Sequence, residues 1–205
     1  MSDKTMLIVS DTGPLITFLK INKLELLDEM YGEIRIPPAV YDELTRDKRF
    51  PFEKKQIDDS SFIVVDGSFD KAEADRLLEY IHQGESEAIA LVQHIEKKEE
   101  RPASLLVDDH DAREIAAQEG IDTIGAIGVL CEAAREELLT LDEAEEAIQV
   151  MKATHRYYTE SEYQSLREAA SDVDRSEGQE SPEAVVKDGI KQYTARNGKS
   201  VVKKK

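Results

Sequence analysis

The chain has 205 residues, and its 44 acidic against 27 basic residues give a formal net charge of −17 at pH 7. This length predicts one main domain with a core of its own. Cys131 is the single cysteine, which excludes an internal disulfide and a cysteine-based zinc cluster and favours a reducing compartment, the cytoplasm. No apolar run approaches the roughly 20 residues of a membrane span, so neither a signal peptide nor an anchor is expected.

Short apolar runs alternate along the chain with longer segments of helical period. This rhythm predicts an α/β fold, compact, with a central parallel sheet of about four to five strands and helices on both faces. The runs expected to form strands are LIVS at 7–10, IRI at 34–36, FIVV at 62–65, SLLV at 104–107 and DTIG at 122–125.

The apolar spacing between these runs predicts the helices. The segment 15–27 should form one helix or a broken pair, and Pro37 and Pro38 should open another helix over 39–45. Thr140 with Glu143 and Thr159 with Glu162 have the spacing of capping boxes, which predicts two terminal helices over 141–153 and 160–170. The remaining helices are expected over 70–82, 85–98, 110–119 and 126–137.

Three regions are expected along the chain. Residues 1–137 should form the α/β core, and residues 138–170 should form a C-terminal helical extension packed on it. From Ser171 onward apolar residues are few, and seven Lys or Arg face one Asp from Lys187 to the end. Such a segment buries too little apolar surface to offset its ordering entropy, so 171–205 is expected to be a largely disordered charged tail.

Acidic residues follow two of the predicted strands directly. Asp11 comes after the first strand, and Asp108 and Asp109 come after the fourth. Ligands of open parallel sheets gather at the carboxyl ends of strands, so these carboxylates are expected in one site. Adjacent acids repel each other unless a cation or a hydrogen-bond donor compensates. The alternative is structural, because each aspartate also stands where a helix cap is expected.

Two further acidic groups lie near helix starts. Glu43 should lie just inside the helix that follows the proline pair. In GESEAIALV, Glu85 falls nearer than Glu87 to the buried face that Ile89 marks, so Glu85 is preferred and Glu87 remains its alternative. Oxygen ligands of this kind suit Mg²⁺ or Mn²⁺ and the hydrolysis of phosphodiesters. The four histidines show no HxxxH pattern, so zinc is not expected, and His82 is interpreted as a surface or core residue.

Five ordered segments across about residues 6 to 165 resemble PIN-domain proteins, in particular an uncharacterised prokaryotic branch of that family. The resemblance implies a compact α/β nuclease fold that uses Mg²⁺ or Mn²⁺. It places the acidic positions of the family at Asp11, Glu43, Glu85 or Glu87, and the Asp108–Asp109 pair, with Thr12 as a hydroxyl residue beside the site. Gly13 stands where serine is frequent in the family. The segments are VSDTGPLITFLKINKLELL, IPPAVYDEL, GESEAIALV, LLVDDHDAR and GAIGVL.

By this resemblance the protein is expected to be a metal-dependent ribonuclease that hydrolyses single-stranded or structured RNA. Many PIN domains are toxins paired with an antitoxin, so an antitoxin protein and a homodimer are the partners that the resemblance implies. The alternative is a catalytically silent PIN-like module that binds nucleic acid or protein. The net charge of −17 favours this alternative, because an acidic surface repels nucleic acid at low salt.

Overall fold

The structure is a computed structural model that describes residues 6–46, 51–154 and 158–177. A five-stranded sheet with the order β3-β2-β1-β4-β5 forms its centre, and every pair of neighbouring strands is parallel. The predicted α/β class is confirmed, and each end of every strand lies within one residue of its prediction. The strands are β1 (Leu7–Ser10), β2 (Ile34–Ile36), β3 (Ile63–Val65), β4 (Ala103–Leu106) and β5 (Thr123–Ile124).

Ten α-helices occur in the described residues. The segment 15–27 forms a broken pair, because Asn22 adopts a left-handed backbone with φ of 55° between the first two helices. One π-helical turn, Ile95–Glu99, extends the sixth helix. The helices are α1 (Thr12–Lys20), α2 (Glu25–Tyr31), α3 (Pro38–Arg46), α4 (Pro51–Asp59), α5 (Lys71–Leu77), α6 (Gln83–His94), α7 (His110–Gln118), α8 (Ala126–Arg135), α9 (Leu141–Thr154) and α10 (Glu160–Glu177).

Three helices differ from the sequence prediction, and one of them, α5, ends at Leu77, five residues before its predicted end. Helix α4 was not predicted, because Phe52 and Ile57 are the only large apolar residues among its nine and they define no periodic face. Helix α10 ends at Glu177, seven residues beyond the predicted end, so residues 171–177 are helical rather than part of a tail. The rest of the predicted tail, 178–205, lies outside the described residues.

The sheet separates two apolar layers, because successive side chains of a strand point to opposite faces. On one face Ile8 and Leu106 pack with α1, α2, α3 and the three last helices. On the other face Val9 and Leu105 pack with α5, α6 and α7. Both faces of the central strands β1 and β4 are therefore covered, which explains why these two strands are mostly apolar rather than alternating.

The two terminal helices begin at the predicted capping boxes. The Thr140 N–H donates to Glu143 at 3.0 Å, and the Thr159 N–H donates to Glu162 at 2.7 Å. Helices α9 and α10 then bury their apolar faces in the same core cluster as α8. These helices are thus part of the packed body of the protein. No helix in the described part of the chain is long and apolar enough to cross a membrane.

The strand order creates a crevice at one edge of the sheet. β2 and β3 lie on one side of β1, whereas β4 and β5 lie on the other. The connections that leave β1 and β4 therefore diverge, and a crevice opens at the carboxyl ends of these two strands. Asp11 follows β1 and Asp108 follows β4, so the fold delivers both aspartates to this crevice.

If α10 belongs to the same cooperative unit as the sheet, truncation of its core contact should destabilise the whole protein. Leu166 is fully buried in the cluster that joins α8, α9 and α10. We expect Leu166→Ala to lower the free energy of unfolding by about 2–5 kcal/mol in one transition, measured by urea denaturation. Leu138→Ala, at a side chain that is 37% exposed, should change it by less than about 1 kcal/mol. A separate early transition in Leu166→Ala would contradict the single unit.

Candidate active site

A cavity of about 220 Å³ opens in the crevice at the carboxyl end of β1. Its walls come from three separate parts of the fold: the β1–α1 junction, helix α3 and the start of α6. No lysine or arginine is among the described residues that line it. The lining residues are Asp11, Thr12, Glu43, His82, Gly84 and Glu85.

Asp11 forms the floor of this cavity. It is the N-cap of α1, where its side chain accepts the Gly13 N–H at 3.3 Å, and only 7% of it is exposed. Its own N–H donates to the Leu106 carbonyl at 3.0 Å, which joins the end of β1 to β4. Burial raises the pKa of Asp11 to about 6, although two backbone N–H groups favour the ionised form, and the nearby carboxylates of Glu85 and Glu43 raise it further.

Glu43 reaches the same cavity from α3. The Thr12 hydroxyl donates to its carboxylate at 2.6 Å, so the residue after Asp11 holds the side chain that faces Asp11. Gly84 allows this approach: a Cβ on it would lie 3.2 Å from Glu43 Oε1 and 3.4 Å from Asp11 Oδ1. The two carboxylates therefore converge over the one position in the first turn of α6 that has no side chain.

Glu85 supplies the third carboxylate of the cavity. It lies in the first turn of α6, and its Oε2 accepts the His82 N–H at 2.9 Å. Burial raises its pKa, and the negative charge of Asp109 raises it further. Asp109 is exposed and caps α7 through the N–H groups of Asp111 and Ala112. A fourth carboxylate thus lies close enough to act on the cavity, although it does not line it.

The structure distinguishes the two glutamates that the sequence left open. Glu85 lines the cavity, whereas Glu87 is turned toward the N-terminus of α3. Glu87 Oε2 accepts the Ala39 N–H at 3.0 Å, and Glu87 Oε1 accepts the Gln83 side-chain amide at 2.7 Å. Both oxygens of Glu87 are occupied by these donors. Its role in the structure is to fix the helix that carries Glu43.

Asp108 is likewise engaged away from the cavity. Its Oδ1 accepts the Ala126 N–H at 2.9 Å and lies 3.7 Å from the Arg113 guanidinium, and its Oδ2 accepts the Tyr158 hydroxyl. Burial raises its pKa even though these donors favour its ionised form. Asp108 lines a second, larger cleft beside α8 and not the cavity around Asp11.

The family of the chain can now be stated. A family model described as a PIN domain matches residues 7–172. The chain belongs to the PIN-domain family. This membership confirms the family predicted from the five sequence segments. No match to the chain was found among curated proteins or among solved structures.

PIN domains are typically nucleases that use divalent metal ions, so the cavity of this PIN domain can be tested for fit to such an ion. The donor chemistry fits, because carboxylate oxygens are the ligands that Mg²⁺ and Mn²⁺ prefer. A Cβ at Gly84 would crowd two of these oxygens, so the glycine is what lets them approach the backbone of α6. Within the described residues, however, no three His, Cys, Asp or Glu side chains stand at distances that would hold a metal ion. The carboxylates share one cavity but do not form a coordination sphere in this arrangement.

Three residues around the site were not identified from sequence. His82 is a surface residue, as one of the two predicted alternatives had it, with a side chain that is 91% exposed, but its place at the border of the cavity was not predicted. Gly84 lies under Asp11 and Glu43, and its place directly before Glu85 was the available signal. Tyr158 gave no signal at all, because its contact with Asp108 joins residues 50 positions apart.

The burial of Asp11 predicts a pH dependence of stability in the absence of divalent ions. Since its pKa rises from 3.8 to about 6 on folding, the folded state binds the proton more tightly. The contribution of Asp11 to stability should therefore be fully present below about pH 4 and fall by about 1–3 kcal/mol as the pH rises through 6. Asp11→Asn keeps an N-cap side chain and should remove this fall, so the variant becomes more stable than the wild type above pH 6, measured by urea denaturation in EDTA.

Asp70→Asn provides the matched control for this measurement. Asp70 caps α5 through the Ala72 N–H at 2.9 Å, as Asp11 caps α1, but it does not line the cavity. Its variant should keep the wild-type dependence on pH. A difference in stability between wild type and Asp11→Asn that stays constant from pH 4 to pH 7 would contradict the raised pKa of Asp11.

Proposed function

We propose that this PIN domain is a Mg²⁺- or Mn²⁺-dependent ribonuclease that hydrolyses phosphodiester bonds of RNA at the cavity around Asp11. The supporting observation is the convergence of Asp11, Glu43 and Glu85, from three separate elements, over the bare backbone of Gly84. Structural carboxylates are ordinarily dispersed or paired with cations, because like charges in a shared cavity repel each other. A site that tolerates this repulsion at the switch point of a parallel sheet is suited to a bound cation.

The residues of the chain have separate tasks in this proposal. When bound, a divalent cation supplies positive charge that activates water and neutralises charge on the phosphate. Asp11 and Glu43 would hold it, and Thr12 orients Glu43 through its hydroxyl. Glu85 and the nearby Asp109 would add further negative charge that attracts the cation to the cavity. Because Asp11 has a pKa of about 6, ion binding should displace a proton below that pH and weaken as the pH falls.

Among the adjacent aspartates, we propose Asp109 rather than Asp108 for this task. Asp109 is exposed, and its charge acts on Glu85. Asp108 instead has both oxygens bound to donors of the protein. Glu87 is assigned to the N-terminus of α3 for the same reason.

A second candidate is a catalytically silent module that binds a partner through the same fold. The specific observation that favours it is the charge: the chain carries −17 overall, and the described lining of the cavity contains no lysine or arginine to attract RNA. High salt or a bound cation would weaken the repulsion, so the two candidates differ in their response to ions.

Ion binding can be measured without any substrate. If Asp11, Glu43 and Glu85 hold Mn²⁺, an ion concentration about 100 times its Kd should stabilise the folded state by about 2.7 kcal/mol. For a chain of this size that is a rise in Tm of roughly 5–10 °C. Asp11→Asn and Glu43→Gln should lose most of the rise, whereas Asp70→Asn should keep it. An equal rise in wild type and Asp11→Asn would mean that the ion binds elsewhere.

Catalysis is tested by cleavage of labelled single-stranded RNA with Mn²⁺ or Mg²⁺, across low and high salt. Wild type should cleave, EDTA should abolish cleavage, and Asp11→Asn should reduce kcat by at least about 100-fold because it loses a direct ligand. Asp70→Asn, purified identically, should match the wild type and thereby exclude a contaminating nuclease. Structured RNA and single-stranded DNA in parallel assays define the substrate. Ion binding without cleavage of any of these would favour the silent module.

We also propose that the protein has a protein partner of the antitoxin kind, since many PIN domains act as toxins. Such a partner would cover the cavity and suppress cleavage. Purification from the native host under mild conditions should then yield a complex with a small second protein and reduced activity. A monodisperse homodimer with full activity would count against this partner.

A further inference from the structure

Tyr158 joins the C-terminal extension to the edge of the sheet where the cavity lies. It stands two residues before α10. Its hydroxyl donates to Asp108, directly after β4, and lies 3.1 Å from the hydroxyl of Thr17 on α1. One phenol group thus contacts both polypeptide segments that leave the central strands β1 and β4.

The direction of these hydrogen bonds can be assigned. An ionised carboxylate only accepts, so the single proton of Tyr158 goes to Asp108 and Thr17 is the donor between the two hydroxyls. Burial and the charge of Asp108 raise the pKa of Tyr158, which keeps this proton on the phenol. The Thr17 hydroxyl has one proton, and it shares this proton between the Tyr158 oxygen and the Gly13 carbonyl, which lies 3.3 Å away. The network therefore links Asp108 to α1 through Thr17.

Both ends of this network are next to residues of the candidate site. Gly13 donates its N–H to Asp11, and Asp108 immediately precedes Asp109. Asp108 is also bound to the Ala126 N–H, so its position is fixed from the side of α8 as well. A displacement of Asp108 would move its neighbour Asp109 relative to Glu85, whose pKa already responds to the charge of Asp109.

We infer that Tyr158 is a positioning residue for the cavity: through Asp108 and Thr17 it sets the spacing between the carboxylates that follow β1 and those that follow β4. The inference rests on the proposed function, because the spacing of these carboxylates affects activity only if they bind the ion. By this inference the C-terminal helical extension contributes to the geometry of the site. Tyr158 itself does not line the cavity. It acts through α1, whose start lines the cavity, and through Asp108, whose neighbour Asp109 lies near Glu85, as outer residues around metal ligands commonly do.

The test is Tyr158→Phe, which removes one hydroxyl and leaves the ring. Tyr31→Phe is the matched control, because the Tyr31 hydroxyl also donates to a carboxylate, that of Glu132 at 3.1 Å, but borders the other cleft. Three quantities are measured on the full chain. They are amide hydrogen exchange of the metal-free protein by NMR, the Kd for Mn²⁺ by calorimetry, and kcat and KM on single-stranded RNA.

In Tyr158→Phe we expect roughly tenfold faster exchange of the amides that donate to Asp11 and Asp109, those of Gly13, Asp111 and Ala112. The Kd for Mn²⁺ should rise and kcat should fall by about 10–100-fold, with KM for RNA unchanged within about threefold. Exchange in the buried strands β1 and β4 should stay at the wild-type rate. Tyr31→Phe should match the wild type in all three measurements.

Two results would overturn the inference. One is a Tyr158→Phe variant that matches Tyr31→Phe in exchange and in Mn²⁺ affinity. The other is faster exchange with unchanged Kd and kcat, because that is the mark of a structural contact alone. If the wild type neither binds Mn²⁺ nor cleaves RNA, the proposed function has failed, and exchange alone decides on Tyr158. Acceleration confined to the two segments supports its positioning role, and acceleration that is absent or spread through the sheet refutes it.

Discussion

The site depends on one electrostatic constraint: a parallel sheet brings the N-termini of its helices to the same edge as the carboxyl ends of its strands. Helix N-termini carry unsatisfied N–H groups and partial positive charge, which stabilise nearby carboxylates. In this protein five acidic side chains at that edge accept a backbone N–H at or beside the start of a helix. These side chains are Asp11, Glu85, Glu87, Asp108 and Asp109, at helices α1, α6, α3, α8 and α7.

In this arrangement one side chain can both cap a helix and line the cavity, so a capping role does not exclude a functional role. Asp11 caps α1 and also forms the floor of the cavity. Glu85 accepts the His82 N–H and also faces two other carboxylates. The hydrogen bonds of the caps hold these side chains in place. They do not fully offset the free energy that is needed to bury the ionised carboxylates, which is consistent with the raised pKa values of Asp11 and Glu85. A divalent cation is the kind of ligand that relieves this cost, and it would be bound by side chains that are already ordered.

The sequence was sufficient for the strands and for most of the helices, because their apolar periodicity is a local property. It was also sufficient to nominate Asp11, Glu43 and Glu85, since each lies beside a strand end or a helix start. The choice between Glu85 and Glu87 depended on a contact with Ala39, 48 residues away. Asp108 and Asp109 are adjacent residues of the same type, and only the hydrogen-bond donors around Asp108, from α8 and Tyr158, distinguish them. Such long-range contacts leave no periodic trace in a single sequence.

The distribution of charge predicts that the binding of an ion and the binding of RNA are coupled. The cavity gathers carboxylates without a described lysine or arginine in its lining, on a chain with a net charge of −17. In the metal-free protein an RNA phosphate would meet negative charge at the cavity, and low ionic strength would strengthen the repulsion. A divalent cation held by Asp11 and Glu43, as proposed above, would offset the charge of these two carboxylates where the phosphate would lie. Ion binding and RNA binding at this site should therefore favour each other, and by linkage each should strengthen the other by the same factor.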